Sequence, residues 1–600
     1  MEDVRALYAE RLAARRGAAE RAGSRARWIS NARLVGFGLA VALCWPVFVT
    51  DALSAGWLLP AALGFVGLVL WHESARREHA RAERGAEFYA RGLARLDLSD
   101  APWGNTGERH LDPAHPYALH LDLFGRRSLF ELLSQAQTTR GEERLAAWLL
   151  APAAPDEVRA RQAAVAELAP RLALREDLFA LGRELGDSVA VDPLIAWALA
   201  PRRLGGTAWR AGAAALAAAT IAALLVGSLS GVGWSPFMLT ILATALVLAL
   251  THRRVDGVIA AIAPRLRDLD RLASLLARLE AEPYEAPRLR AARAALDHEG
   301  RSASRQIAQL HRLVAVLDWR RNQLFAPIAL LLMWGLQVAF ALEAWRARSG
   351  GDIARWLDAI GDFEALGDLA GYAFEHAADP FPEIAEGGPL FRGRALGHPL
   401  LLDSLCVRND LDLDAVRPLL VVSGSNMSGK STFLRCVGTA ALMALAGAPV
   451  RAEALALSPL ALGACLRVQD SLRDGASRFY AELLALRRVT EQTRGALPVF
   501  FLLDEILAGT NSHDRRIGAD ALLKGLLARG AIGLVTTHDL ALCAVADELA
   551  PRAANAHFED QLENGTLRFD YRLRPGVIQR GNALELMRAV GLDLGPCTKG

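Results

Sequence analysis

Lysine is scarce in this 600-residue sequence: of 68 basic residues, only Lys430, Lys524 and Lys599 are lysines. Cysteine is also sparse. The six cysteines are scattered without a Cys-x-x-Cys pair, which argues against a disulfide framework or a zinc site. The charges nearly cancel, at a formal net charge of +2, so charge alone excludes no class of partner. A chain of this length exceeds what one core usually encloses, and several domains are expected.

Two pairs of long apolar runs contain neither lysine nor arginine. The first pair is 34–49 and 53–71, and the second pair is 211–226 and 236–250. Each run approaches the ~20 residues that a helix needs to cross a bilayer core. Arginines flank both pairs but are missing from the loops inside them, so the positive-inside rule places both loops outside the cytoplasm. The alternative, two helical hairpins buried in a soluble core, does not require this charge asymmetry.

One of the three lysines lies in the segment VSGSNMSGKST, residues 422–432. The pattern Gly-x-x-x-x-Gly-Lys-Ser stands between a β-rich apolar run and a helical run, which is the context of a phosphate-binding P-loop. Lys430 would reach the β- and γ-phosphates and Ser431 would offer its hydroxyl to Mg²⁺. A slender ammonium fits where a planar guanidinium does not, which explains a lysine here. The predicted ATP contacts are Gly424, Ser425, Asn426, Met427, Ser428, Gly429, Lys430, Ser431 and Thr432.

A pair of acids, Asp504 and Glu505, ends the apolar run 499–503. We predict that Asp504 holds Mg²⁺ together with Ser431, and that Glu505 polarises the attacking water. Two unpaired carboxylates at the end of an apolar strand are costly without a cation, which favours this interpretation. His538 ends another apolar run. Alone, such a histidine is more often a capping residue, but in this order of motifs we predict that it senses the γ-phosphate.

Taken together, these motifs resemble the ATPase domain of the MutS DNA mismatch-repair family. The likeness is strong only after residue 395 and weaker over 119–200 and 255–395. The segments that carry it are GSNMSGKST at 424–432, SRFYAE at 477–482, DEILAGTNSHDR at 504–515 and TTH at 536–538.

This resemblance implies a homodimer in which two ATPase domains pack head to tail. Each nucleotide is completed in that family by the partner's signature segment. In this chain the segment would include Ser477 and Arg478, acting in trans, and Asn511 would lie along the dimer contact. The implied cofactors are ATP and Mg²⁺.

The N-terminal region departs from the family pattern. The first pair of apolar runs stands where the mismatch-reading domain of MutS proteins is expected, and the second pair lies roughly where those proteins insert a DNA clamp. Leu507 and Ala508 replace the Gly-Arg that usually follows Asp-Glu-Ile. The expectation is a MutS-like ATPase that lacks the mismatch-recognition domain.

The sequence thus predicts a multidomain α and α/β protein with transmembrane helical hairpins, a MutS-like helical core and a C-terminal P-loop ATPase domain of the ABC type. The predicted location is the inner (plasma) membrane, multi-pass, with the ATPase domain in the cytoplasm. The segments in chain order are an amphipathic cytoplasmic helix (1–33), transmembrane hairpin 1 (34–71), a linker (72–118), a first stretch of the helical core (119–204), transmembrane hairpin 2 (205–252), a helical lever with the remaining stretch of the core (253–378) and the ATPase domain (379–600).

A fifth apolar run, 324–342, tests this topology. A fifth crossing would put the ATPase domain outside the cytoplasm, where it would have no ATP, and Pro327 and Gln337 also disfavour a span. We therefore expect four crossings, with this run forming a core helix or a shallow membrane-facing helix.

The expected function is a membrane-anchored ATPase whose ATP-driven dimer closure moves the helical arms and the hairpins. The expected partners are a second copy, membrane lipid and unidentified proteins. DNA binding without mismatch specificity stays open, because membrane topology and anionic lipid explain the arginine-rich flanks equally well. Two alternatives are an ABC-type transporter, which the Ser-Arg-Phe signature disfavours, and a membrane ATPase that acts on proteins without DNA.

Overall fold

The computed structural model describes residues 2–50, 52–185, 191–230, 233–260, 262, 266–319, 323, 325–425, 427–466, 478–563 and 566–577. The chain divides into two compact units. Unit 1 comprises Met1–Gln135, Leu145–Leu172 and Leu366–Gly600, and unit 2 comprises Ala136–Arg144 and Ala173–Ala365.

Helices dominate the chain up to Glu375, in keeping with a sequence rich in alanine, leucine and arginine, which are strong helix formers. They are α1 (Glu2–Phe48), α2 (Leu58–Leu96), α3 (Leu129–Leu133), α4 (Thr139–Leu150), α5 (Pro155–Leu168), α6 (Leu172–Leu185), α7 (Val191–Leu199), α8 (Thr207–Leu229), α9 (Ser235–Ile259), α10 (Leu266–Glu280), α11 (Pro287–Ala295), α12 (Ala303–Asp318), α13 (Ala326–Leu331), α14 (Trp334–Ser349) and α15 (Ile353–Glu375). A small antiparallel hairpin of β1 (Asp297–His298) and β2 (Arg301–Ser302) interrupts the series.

The first hairpin consists of α1 and α2, in unit 1. Each helix continues from its apolar run into the neighbouring charged sequence, so the segment predicted as a linker is helical as far as Leu96. Ion pairs one turn apart support the charged stretch of α2. Arg77 Nε lies 3.2 Å from Glu73 Oε1, and Arg91 lies 2.6 Å from Glu87, a spacing that stabilises helices.

The second hairpin consists of α8 and α9, in unit 2. Its helices share a buried polar contact, in which Thr220 Oγ1 lies 3.2 Å from Thr244 Oγ1. The Thr220 hydroxyl is also 2.8 Å from the carbonyl oxygen of Leu216 in its own helix. Hydrogen bonds of this kind hold helices together where the surroundings are apolar.

Among the described residues, four helices are long and apolar enough to cross a membrane by length and composition: α1, α2, α8 and α9. Few side chains in their apolar windows are buried. Leu34 and Leu229, for example, are 79% and 82% exposed. Most side chains in these apolar windows are therefore exposed and do not belong to the core of either unit.

The fifth apolar run does not form one long helix. It is broken at Met333, which has a left-handed backbone (φ 50°), into α13 and α14. Pro327 lies in the first turn of α13, where a missing N–H is tolerated. Leu336, Ala339 and Leu342 of α14 are buried, whereas Ile328 and Leu330 of α13 are exposed.

Strands and helices both occur from residue 383 onward, and the apolar runs 419–422, 499–503 and 532–536 lie in strands, as predicted. The elements are β3 (Glu383–Ile384), β4 (Leu390–Leu396), β5 (Asn409–Asp414), β6 (Leu419–Ser423), α16 (Lys430–Ala446), β7 (Ala454–Leu457), β8 (Ala461–Cys465), α17 (Arg478–Gln492), β9 (Val499–Asp504), α18 (Ser512–Ala528), β10 (Ile532–Thr537), α19 (Leu540–Glu548), β11 (Ala553–Glu563) and β12 (Thr566–Pro575).

The larger sheet has the strand order β12-β11-β6-β10-β9-β8 and is parallel except for β12. A smaller sheet has the order β3-β7-β4-β5. Helices α17, α18 and α19 bury one face of the larger sheet in a common apolar core. Helix α16 packs closely on β9, because a Cβ atom on Gly438 would lie 2.8 Å from Leu502. The carboxyl ends of β6, β9 and β10 therefore meet at one edge, where open parallel sheets bind ligands.

Candidate nucleotide-binding site

The loop between β6 and α16 has the backbone of a phosphate cradle. Gly424 and Gly429 have φ angles of 154° and 102°, which a side chain would strain. A Cβ atom on Gly424 would also lie 2.8 Å from Ser428 Oγ. Met427 adopts φ 74° and is 83% exposed. Asn426 lies outside the described residues.

Lys430 begins α16 and is buried. Its Nζ atom donates hydrogen bonds to the carbonyl oxygens of Gly424 and Ser425, each at 2.8 Å. The ammonium thus lies inside the loop, beside the helix N-terminus that also favours an anion. This is the position that the sequence predicts for a lysine that reaches a phosphate.

Two hydroxyl groups of the loop are buried and lack a hydrogen-bond partner among the described atoms: Ser425 Oγ and Ser428 Oγ. Buried polar atoms usually have a partner, because an unmade hydrogen bond costs roughly 1–3 kcal/mol. Phosphate oxygens would accept from both hydroxyls. The residues present therefore fit the group that the sequence predicts.

Asp504 is the last residue of β9 and Glu505 follows it, two strands away from β6 in the sheet order. The hydroxyl of Thr536, which is fully buried on β10, donates to Asp504 Oδ1. The backbone N–H of Glu505 donates to the Thr536 carbonyl oxygen at 3.1 Å. Thr536 therefore fixes both acids, because its register on β10 sets it beside Asp504.

The Glu505 carboxylate lies between two predicted site residues. Its Oε1 atom is 3.5 Å from Lys430 Nζ and 3.4 Å from His538 Nδ1. Glu505 also has a left-handed backbone, with φ 47°, and such conformations cluster at functional sites. The fold thus brings together Lys430, Glu505 and His538 from three separate segments.

A cavity of about 480 Å³ adjoins the loop. Its polar side includes four of the predicted site residues, Lys430, Ser431, Thr432 and Glu505. Its other side is largely apolar. The residues that form this other side include Leu401, Leu405, Val407, Phe558 and Tyr571.

Tyr571 of β12 is a cavity residue that was not predicted from the sequence. Asn409 of β5 holds it in place: Asn409 Nδ2 donates to the Tyr571 carbonyl oxygen at 2.9 Å, and Leu573 N donates to Asn409 Oδ1 at 2.7 Å. The Tyr571 ring reaches the loop, because a Cβ atom on Gly429 would lie 3.0 Å from its Cδ1 atom. It therefore provides an aromatic face beside the phosphate cradle.

His398 is a second cavity residue that received no role from the sequence. Burial lowers its pKa to about 4, and the charges of Arg435 and Arg451 act in the same direction. Its Nδ1 atom accepts a hydrogen bond from the N–H of Leu400 at 3.2 Å. The ring is therefore neutral near pH 7 and belongs to the uncharged wall of the cavity.

The loop after Glu505 is held by two charged side chains. Glu482 of α17 accepts a hydrogen bond from the N–H of Leu507. Arg515 of α18 donates to the carbonyl oxygens of Leu507 at 3.1 Å and Thr510 at 3.2 Å. Leu507 thus keeps φ 57° although it is not glycine. Glu482 is the last residue of the SRFYAE segment, so the sequence marked this residue but did not predict its hydrogen bond to Leu507.

The remaining predicted residues lie elsewhere or are not described. Asn511 caps α18, where its side chain accepts from Asp514 N at 2.9 Å, and it is exposed. Ser477 lies outside the described residues, as does the side chain of Arg478. Within the described ranges no three His, Cys, Asp or Glu side chains gather as a metal site. Mg²⁺ usually takes only one or two protein carboxylates and completes its shell with phosphate and water, which Ser431 and Asp504 would suit.

Comparisons with known proteins match the region of the chain that contains this site. The family model of MutS domain V matches residues 420–594. The Endonuclease MutS2 of Thermus thermophilus is 36% identical over 219 residues, which cover 35% of this chain and 27% of that protein. The DNA mismatch repair protein MutS of Thermus caldophilus is 34% identical over 281 residues, covering 46% of this chain and 32% of that protein. The chain thus aligns with only about a quarter to a third of the length of these relatives.

Proposed function

Since the chain carries the domain V of the MutS family, we propose that it is a membrane-anchored ATPase that couples ATP binding and hydrolysis to movement of its helical hairpins. The observation that carries the ATPase assignment is the Glu505 carboxylate, 3.5 Å from Lys430 Nζ and 3.4 Å from His538 Nδ1. A base, a phosphate-binding cation and a polar sensor close to one another are what hydrolysis of a triphosphate needs.

Each of these residues has a separate task in the proposed reaction. Lys430 and the loop N–H groups bind the phosphates. Glu505 orients the attacking water and accepts its proton. His538 would contact the γ-phosphate, and Ser431 and Asp504 would hold Mg²⁺, which supplies neutralisation of phosphate charge when bound.

Two variants test this assignment. Glu505→Gln should lower the rate of ATP hydrolysis by roughly 10²–10⁴-fold and leave nucleotide binding intact. Lys430→Ala should weaken binding of ATP itself, by roughly 10- to 100-fold, because it removes a charge-assisted hydrogen bond. Lys524→Ala is the matched control. That lysine is exposed on α18 and pairs with Asp520 at 2.8 Å, so both properties should stay unchanged. Unaltered hydrolysis in Glu505→Gln would contradict the role of Glu505.

The proposed membrane anchoring is supported by exposed apolar side chains on α1, α2, α8 and α9. Contiguous apolar surface of this extent is rare on soluble proteins. We propose four crossings of the inner membrane, with both hairpin loops outside and the ATPase domain in the cytoplasm, since arginines flank the spans on one side only.

Cysteine accessibility tests this topology in intact cells. Ser54→Cys and Ser230→Cys, in the two hairpin loops, should react with a membrane-impermeant thiol reagent. Ser404→Cys, exposed beside the nucleotide cavity, should react only after lysis. Labelling of the loops only after lysis would reverse the proposed orientation. Recovery of the chain in the aqueous fraction would contradict anchoring.

Contacts at the base of the first hairpin support the proposed coupling between the ATPase domain and the hairpin. Arg95 of α2 and Tyr8 of α1 both bond to Glu375, at 3.0 Å and 3.3 Å. Glu375 ends α15 shortly before the α/β region begins. A homodimer that closes on ATP would therefore act on a segment tied to both helices of this hairpin.

DNA is the first macromolecule to test as a ligand, because the relatives are named for mismatch repair and endonuclease activity. We propose contact with backbone phosphates and no mismatch specificity. Equal affinity for paired and mismatched duplexes, weakening steeply with salt, is expected of the detergent-solubilised protein. Absence of binding at low salt would favour a membrane ATPase that acts on proteins.

A further inference from the structure

A groove of about 630 Å³ lies within unit 2, at the end of the second hairpin opposite its loop. Three helices form its walls, and nearly all their contributions are apolar. The wall residues used below are Gly212 and Leu216 of α8, Val247 and Leu250 of α9, and Leu336 and Phe340 of α14.

Hydrogen bonds within this unit hold the helices that form the groove. Helix α14 is tied to the start of the hairpin, because Glu343 accepts hydrogen bonds from the N–H groups of Arg203 at 2.6 Å and Leu204 at 3.2 Å. Helix α9 is tied to α7 by a 2.8 Å bond from Trp197 Nε1 to the Val258 carbonyl oxygen. These bonds anchor α14 and α9, two of the three helices that form the walls.

The dimensions of the groove fit an acyl chain. On α8 it extends from Ala208 to Leu216, a distance of about 12 Å at the rise of an α-helix. One leaflet of the hydrocarbon core is about 15 Å thick. Thr251 is a polar side chain in the wall, and its hydroxyl donates a hydrogen bond to the Val247 carbonyl oxygen at 2.7 Å. The hydroxyl therefore does not need a hydrogen-bond acceptor inside the groove.

The mouth of the groove carries a positive charge. Arg254 of α9 lines it and is exposed, and it has no hydrogen bond or ion pair with any residue that the structure describes. Trp209 lies at the same end, with its ring over Gly205, and tryptophan is enriched where membrane proteins meet the bilayer interface.

We propose that this groove binds one acyl chain of an anionic phospholipid, with the lipid phosphate at Arg254. The proposal rests on the membrane anchoring proposed above. The positive charge of Arg254 favours an anionic headgroup. The apolar walls, which include two candidate membrane spans, favour an acyl chain. Such a lipid would lie against α8, α9 and α14 together.

Photolabelling in nanodiscs tests the proposal. The full-length protein is reconstituted in phosphatidylcholine with a trace of phosphatidylglycerol that carries a photoreactive acyl chain, and labelled peptides are mapped. Peptides of α8, α9 and α14 should be labelled about fivefold more by this probe than by a phosphatidylcholine probe with the same chain, as one cation near the headgroups predicts.

Two pairs of variants sharpen the result. Arg254→Gln should remove the preference for the anionic probe, whereas Arg253→Gln, its exposed neighbour outside the groove, should keep it. Gly212→Leu should lower labelling by both probes. A Cβ atom at Gly212 meets nothing within 4 Å, and the same is true of Gly67 in α2, so Gly67→Leu is the matched control.

The outcomes separate the two proposals. No label on any of α1, α2, α8 or α9 would overturn the membrane anchoring. Label on all four spans, with equal use of both probes or no effect of Gly212→Leu, would overturn the groove alone. Disulfide-linked dimers of Gly212→Cys at high yield would make a second copy the occupant and would also overturn the lipid.

Discussion

Two buried glutamates on α15, Glu364 in unit 2 and Glu375 in unit 1, are accommodated in opposite ways. Arg95 donates to both carboxylate oxygens of Glu375, at 3.0 Å and 2.5 Å. Glu364 has no basic partner in the portion of the chain that the structure describes. It accepts instead from the N–H of Gln137 at 3.1 Å, and from the N–H of Thr138 at 3.3 Å and its hydroxyl.

The difference determines which group responds to pH. Burial raises the pKa of Glu364 to about 7, against the opposing hydrogen bonds from Thr138 and Gln137, and the nearby charge of Glu142 adds to the rise. Burial tends to lower the pKa of Arg95, but Glu375 raises it overall. A buried carboxyl thus either pairs with a fixed cation or keeps its proton, and this helix carries one example of each.

Breaking the ion pair should have the largest effect. Glu375→Gln leaves the Arg95 guanidinium buried without a counter-charge, which should cost ~3–5 kcal/mol of local stability. Amide hydrogen exchange of peptides from α2 and from the end of α15 would measure this loss. Glu78→Gln is the control on the same hairpin. It breaks the exposed Arg25–Glu78 pair and should cost at most ~1 kcal/mol. Equal costs for the two variants would remove the distinction between buried and exposed pairs here.

The second prediction concerns the pH dependence of unit 2. The Glu364 carboxyl loses its proton near pH 4.5 when unfolded but only near 7 when folded. Its contribution to stability is therefore complete below pH 4.5, declines as the pH rises towards 7, and stays low above that. The total change should be about 3 kcal/mol, at ~1.36 kcal/mol per pKa unit.

Glu364→Gln tests this directly, because it keeps the shape and removes the titration. Exchange protection of α4 and of the α15 residues before Ala365 should fall between pH 5 and 8 in the wild type, after correction for intrinsic exchange rates. It should stay level in the variant. A parallel fall in both proteins would assign the pH dependence to another group.

Some of the site could be predicted because its chemistry is local in sequence. A phosphate cradle needs glycines, a lysine and a following helix within a few residues, so Gly424, Lys430 and Ser431 were identifiable. Glu505 and His538 were predicted because each ends an apolar strand, and parallel strands place such ends at one edge.

Other features depend on contacts between distant segments. Tyr571 reaches the cavity because Asn409 holds β12 across more than 150 intervening residues, and the composition of neither strand predicts that bond. The break at Met333 is similar, since a left-handed non-glycine residue leaves no mark on an apolar run. The partners of Glu364 and Glu375 also lie far away in sequence, so helical periodicity could place both on α15 without distinguishing them.

The smallest expected effect is that of removing the Thr138 hydroxyl. This hydroxyl donates to Glu364 and accepts from Gly141 N at 3.2 Å near the start of α4. Thr138→Val should cost roughly 1 kcal/mol at pH 5 through the lost helix cap. It should cost roughly 2 kcal/mol at pH 8, because the ionised carboxylate then lacks a donor. Thr138→Ser keeps the hydroxyl and should match the wild type at both pH values. Hydrogen exchange of α4 reports the difference, and a cost independent of pH would show that the hydroxyl acts only as a cap.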